Sequence, residues 1–195
     1  GFDRNRLGFT LDDVPLGDMT YGNHNGLHIS RAIAGENVGQ VELSQGSGAL
    51  SAASASDLGG SLQFMSRDPS HDFGGLAAAT AGSDNTYRGF LRVESGDLAS
   101  GARGYLSYSY NTADKWKGDG KQRQQQINAK VVQPIGEGAL TAWLNWSTRQ
   151  EQVYQDMSLE MISRLGRNWD NFASDYATAV AVSEIAHNRG DTGVA

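Results

Sequence analysis

The chain has 195 residues, which is room for one or two domains, and a formal net charge of −6 that disfavours a nucleic-acid partner, which would need a basic face. It has no cysteine, which excludes a disulfide scaffold and a thiolate metal centre. Hydrophobic residues make up 38%, and 25 glycines against 3 prolines point to tight turns and close backbone approaches rather than a disordered linker.

Residues 1–69 are rich in loops. "FTLDDVPLGD" reads as a short strand carrying Phe9 and Leu11, then a turn at Pro15-Leu16-Gly17. "NGLHISRAI" spaces Leu27, Ile29 and Ile33 as one short helical turn. "NVGQVELSQG" alternates Val38, Val41 and Leu43 imperfectly. In "GGSLQFMSRDP" Leu62 and Phe64 alternate with Gln63 and Met65, and Pro69 ends the run. Between the last two lies "QGSGALSAASASDLGG", from Gln45 to Gly60, with almost no bulk. Gly46, Gly48, Gly59 and Gly60 permit positive φ and close backbone contact. A flexible Ser/Ala/Gly linker is the competing reading.

From Phe73 the pattern has period two. Two runs flank Gly82-Ser83-Asp84-Asn85, a hairpin turn composition. In the second run Tyr87, Gly89, Leu91 and Val93 share one face; Arg88, Phe90, Arg92 and Glu94 share the other. "RGYLSYSY" splits Gly104, Leu106, Tyr108 and Tyr110 from Arg103, Tyr105, Ser107 and Ser109. Ile127, Ala129 and Val131 oppose Gln126, Asn128 and Lys130. Leu140, Ala142, Leu144 and Trp146 oppose Thr141, Trp143, Asn145, Ser147 and Arg149. A soluble antiparallel sheet packs its apolar face on a core, whereas a membrane barrel turns that face to lipid, and alternation alone fits both. The connections favour the barrel: residues 96–102 and 136–139 are brief, 111–123 longer, and the stretch after Arg149 longer still. In residues 150–195, Val153, Met157, Met161 and Leu165 recur every four positions before Gly166, and Trp169, Phe172, Tyr176 and Val180 every three or four. Two short helices in a long loop are expected.

Three pieces in order resemble the second half of the plug domain of TonB-dependent outer-membrane receptors. They are Leu11 to Pro15, Val41 to Gly46 with the small-residue loop 47–57, and Gly59 to Pro69. The resemblance covers about the first third of the chain as motif and the rest only as strand grammar. Asp13 stands where that family usually has Gly, and Gln45 where it commonly has an Arg that pairs with barrel carboxylates, so an ion pair at that position is not carried over. The resemblance implies a mainly β fragment: residues 1–69 as the C-terminal half of the plug, and residues 73–195 as the first part of a transmembrane β-barrel, with about five antiparallel strands and a long, partly helical outer loop at 150–195. A 22-stranded receptor is far larger. It implies location in the outer membrane of a Gram-negative cell, TonB as partner through a segment this chain lacks, outer-membrane lipid around it, and a scarce nutrient as cargo, most often a ferric siderophore or ferric citrate-type chelate.

Site expectations follow. "YGNHNGLH" would be a plug-tip loop, with Tyr21, Asn23, His24, Asn25 and His28 touching ligand. His24 and His28 lack a third ligand, so neither a metal site nor a cofactor is expected. Arg88, Arg92, Arg103, Lys130 and Arg149 would face a polar lumen. Trp143, Trp146, Tyr105, Tyr108 and Tyr110 are candidates for an interfacial girdle, although Trp143 and Trp146 fall on opposite faces. "DKWKGDGK" at 114–121 lacks the spacing of a calcium loop and reads as solvated and locally basic. No nucleophile elbow, P-loop or zinc-protease motif is present, and the adjacent Asp12 and Asp13 point to opposite faces of a strand, so no enzyme is expected. The alternative is a soluble or secreted β-rich carbohydrate-binding or adhesin module.

Overall fold

The computed structural model describes residues 7–16, 27–46, 59–116, 120–152, 158–167 and 176–190. Two sheets carry most of them. The first has four strands in the order β2-β1-β4-β3, where β1 is Gly8–Leu11, β2 Val14–Pro15, β3 Val38–Gln45 and β4 Gly60–Ser66. The second has five in chain order: β5 (Phe73–Gly82), β6 (Thr86–Ser95), β7 (Arg103–Asp114), β8 (Lys121–Ile135) and β9 (Gly138–Glu151). Helices α1 (Ile29–Ala32), α2 (Leu159–Leu165) and α3 (Tyr176–Asn188) are short.

In the first sheet β1 runs parallel to β4, pairing Gly8 with Ser61 through Leu11 with Phe64, and antiparallel to β2. The turn from β1 to β2 is Asp12-Asp13; Pro15 ends β2, and the turn expected at Pro15-Leu16-Gly17 runs into residues outside the described set. Both Asp residues have positive φ, 47° and 63°. Asp tolerates this region because its short side chain finds local hydrogen bonds. The Asp12 amide donates to the Phe64 carbonyl at 2.9 Å, and its Oδ1 accepts from the Ser66 amide at 2.8 Å. Thus the turn that breaks the strand also ties it to β4. Leu11, Ala32 and Ile33 are buried, with Leu16, Ile29, Val38 and Phe64 packed against them.

The glycines around the small-residue loop act at strand ends. Gly46 has φ +80° and Gly60 φ +119°. A Cβ on Gly60 would collide with the Ser44 carbonyl of β3, so the close approach it permits lies within the four-stranded sheet. The loop itself, residues 47–58 including Gly48, lies outside the described residues.

The five-stranded sheet is a meander of antiparallel neighbours. The β5–β6 turn is Ser83–Asn85 and the β8–β9 turn only residues 136–137. β7 and β8 extend into the stretch 111–123 that is expected as a loop, leaving 115–120 between them. The short-and-long contrast among these connections is therefore smaller than the sequence suggests. Residues 111–114 and 121–123 carry no apolar side chain larger than Ala113, so they show no apolar alternation even though they belong to the strands.

The chain divides into two compact units. One comprises Gly1–Ala79, Arg88–Tyr110 and Gln124–Arg149; the other comprises Thr80–Tyr87, Asn111–Arg123 and Gln150–Ala195. The second holds α2 and α3, near the two helices expected. Gly166, at φ +87°, follows α2 as its stop. Of the residues whose spacing predicts these helices, Val153, Met157, Trp169 and Phe172 lie outside the described set.

Candidate functional site

Side-chain burial in the first unit runs against the usual order. On β6, Phe90, Arg92 and Glu94 are buried, while Leu91 is 55% and Val93 48% exposed. On β7, Tyr105, Ser107 and Ser109 are buried and Leu106 is 58% exposed; on β8, Gln126, Asn128, Lys130 and Val132 are buried and Val131 is exposed. The aliphatic row continues outward through Leu140 and Leu144 on β9. In water this arrangement forgoes the hydrophobic effect on one face and desolvates charge on the other.

The buried charges are satisfied by the loops of the four-stranded sheet. Ala34 enters a 3-10 turn, Gly35–Asn37, that leads into β3. Arg88 grips the Glu36 carboxylate with both terminal nitrogens, one of them at 2.6 Å. This fork holds the Glu36 carboxyl below its ordinary value of 4.5, against the opposing effect of burial. Asn37 is fully buried. Its Nδ2 donates to Ser107 Oγ (2.7 Å) and Asn128 Oδ1 (3.0 Å), and its Oδ1 accepts from Arg92 Nη1 (3.1 Å). Asn128 Oδ1 also accepts from the Ala34 amide (3.1 Å), and Asn128 Nδ2 donates to Asn145 Oδ1 on β9 (2.8 Å).

A second cluster holds the segment between β4 and β5. Glu94 accepts from the Ser70 amide and lies 3.4 Å from Arg67. Arg103 Nε donates to the Pro69 carbonyl (3.1 Å). Lys130 donates to the Ser66 carbonyl (3.2 Å) and pairs with Asp68 at 2.9 Å. A third contact lies at α1, where Gln124 and Gln126 of β8 both donate to the Ser30 carbonyl, at 2.6 and 3.1 Å.

Four of the five cationic residues singled out from sequence, Arg88, Arg92, Arg103 and Lys130, thus meet residues 36–69. Arg149 is exposed and donates to Gln124 Oε1 at 3.3 Å. Gln45, standing where the resembled family commonly has Arg, is exposed on β3; the ion pairs come from Glu36, Arg67 and Asp68 instead. Of the ligand-loop residues, Tyr21, Asn23, His24 and Asn25 lie outside the described residues. His28 caps α1: its Nδ1 accepts from the Ser30 amide at 3.2 Å and lies 2.9 Å from Ser30 Oγ. Tyr105 is buried on the polar face and is not a girdle residue; Arg92 stacks over its ring at 5.9 Å. In the second unit Asn85 donates to Asp114, which also faces Lys121 at 3.8 Å. No cluster of three metal-ligating side chains occurs among the described residues. Nor is any described helix long and apolar enough to cross a membrane, a test that does not address strands.

Asn37 and Asn128 escape sequence reasoning as partners. Alternation puts Asn128 on the polar face of its strand, but a polar face does not announce a partner 91 residues away.

No protein family or curated protein matches the sequence. Solved structures do match its fold. The pyoverdine outer-membrane receptor FpvA of Pseudomonas aeruginosa PAO1, bound to pyoverdine, aligns over 76% of this chain with TM-score 0.63 and 23% identity. The FpvAI–pyocin S2 complex gives 0.62 and 23% over the same share, and the P. aeruginosa ferripyoverdine receptor bound to ferripyoverdine gives 0.60 and 21%. The chain spans 19–21% of the length of those chains. The fold, mainly β with antiparallel strands, matches part of the plug-and-barrel fold of those receptors. In fold the chain is similar to a part of the FpvA receptors.

Proposed function

We propose that this chain is part of a TonB-dependent outer-membrane receptor that imports a scarce nutrient. In this reading residues 1–69 are the C-terminal half of the plug, and 73–195 the first part of the barrel with its long outer loop at 150–195. The observation that carries it is the inverted sheet: Leu91, Val93, Leu106, Val131, Leu140 and Leu144 face outward, while Arg92, Glu94, Asn128 and Lys130 are buried against the plug loops. Lipid makes that arrangement favourable and water does not. A soluble carbohydrate-binding module predicts the reverse.

A ferric siderophore, or a ferric citrate-type chelate, is the cargo this reading puts first, supported by the fold likeness to receptors solved with pyoverdine and ferripyoverdine. Tyr21, Asn23, His24, Asn25 and His28 are the proposed ligand contacts, Arg88, Arg92, Arg103, Lys130 and Arg149 the lumen-facing cations, and TonB the energising partner. The proposed activity is transport, not catalysis. The test fractionates cells producing the full protein, then compares a deletion strain with its parent on single ferric chelates. Outer-membrane recovery and loss of growth on one chelate are expected. A soluble, detergent-independent protein overturns the membrane reading, and unchanged uptake of every chelate overturns the iron cargo.

A further inference from the structure

We propose that Arg92 couples the two plug segments anchored on the wall, so that residues 34–37 and 66–70 detach together. The inference rests on the plug-and-barrel reading above. Arg92 sits between the two clusters with its side chain 4% exposed. At one end of its guanidinium, Nη1 donates to the Glu36 carbonyl (2.8 Å) and to Asn37 Oδ1 (3.1 Å). At the other, Nε donates to Glu94 Oε1 (3.0 Å), the carboxylate that holds the Ser70 amide. The Phe90 and Tyr105 rings lie beside it, each with its centroid 5.9 Å from the guanidinium carbon. The segments also touch directly, since the Arg67 amide donates to the Asn37 carbonyl at 2.8 Å. Freeing either segment therefore strips a buried charge or a buried amide of a partner used by the other, and in a dry setting that loss is shared. A lysine keeps the charge but presents a single nitrogen, which cannot serve two ends of a planar fork. Arg92 is thus a positioning residue for the plug.

The test is native-state hydrogen exchange on the full-length protein in nanodiscs, reading the Ala34, Asn37, Arg67 and Ser70 amides. Each anchor is weakened from its own end: Arg88→Met loosens residues 34–37, and Asp68→Asn, at a side chain 66% exposed, loosens residues 66–70. Coupling predicts that either substitution speeds exchange at all four amides by a similar factor, about tenfold. In an Arg92→Lys background each substitution speeds only its own segment, read at Ala34 and Asn37 for one and at Ser70 for the other, because the Arg67 amide bonds to Asn37 and answers to both. If Arg88→Met accelerates Ala34 and Asn37 while Ser70 stays at its wild-type rate, the coupling is refuted. It is refuted equally if Arg92→Lys leaves the shared response intact, which would assign that response to the Arg67–Asn37 bond. Should Arg92→Lys fail to assemble, Glu94→Gln takes its place: with one acceptor oxygen left it cannot hold both Arg92 and Ser70, and it leaves the Arg67–Asn37 bond intact, so a shared response that survives it refutes the coupling. Failure of the underlying reading looks different: the wild-type protein would not be recovered from the outer membrane at all.

Discussion

At the scale of single residues, the Glu36–Arg88 fork has a pH signature. Arg88 depresses the Glu36 carboxyl below 4.5, so the folded state binds its proton less readily than the unfolded chain. The pair's contribution is whole above about pH 4.5 and is lost as pH falls through the lowered folded value. Both side chains are roughly a quarter exposed, so the contribution is about 1–2 kcal/mol, between an exposed pair and a fully buried one. Glu36→Gln should lower the urea midpoint near neutrality and flatten its decline as pH falls below about 4.5. A variant that keeps the wild-type slope over that window would show that the fork contributes nothing to acid sensitivity. Little of this is visible in the sequence. Glu36 follows a glycine in a loop, and its partner lies 52 positions away. The left-handed Asp12-Asp13 turn is likewise hidden, because the Pro15-Leu16-Gly17 composition is the stronger turn signal.

At the scale of elements, β6 to β9 are legible, because period-two alternation states which residues share a face. It does not state which face is buried. Here burial goes to the polar face. Leu106, on the outward row of β7, discriminates the two meanings. If it meets hydrocarbon, Leu106→Lys should reduce folding stability in lipid vesicles by about 2–4 kcal/mol near the midplane. If it lies on a wetted surface, the change should stay within about 0.5 kcal/mol. Urea titration of vesicle-folded protein separates these outcomes. The ends of β7 and β8 are not legible, since a ladder can continue where both faces are polar and no alternation marks it. β1, β3 and β4 show in the sequence as separate short runs. The sheet order β2-β1-β4-β3, with one parallel pair, is a non-local arrangement that no local run encodes.

At the scale of the whole molecule, the resemblance in three short motifs points to the plug-and-barrel class, and the structural likeness carries it to the level of fold. The seam is beyond the reach of sequence. Asn37, Arg92, Ser107 and Asn128 come from four separate stretches, and only the closed structure makes them neighbours. The strand arrangement also has a mechanical consequence. The chain leaves β4 through residues 66–70, which Glu94, Arg103 and Lys130 hold, while β1 lies parallel to β4 and enters from its own amino end at Gly8. A pull on the chain ahead of Gly8 therefore runs along both strands in opposite senses. It loads the four register pairs from Gly8–Ser61 to Leu11–Phe64 together, as shear, where an antiparallel neighbour pulled from its free end would unzip one bond at a time. Single-molecule extension from that end should rupture β1 in one event; a staircase of small steps there would contradict it.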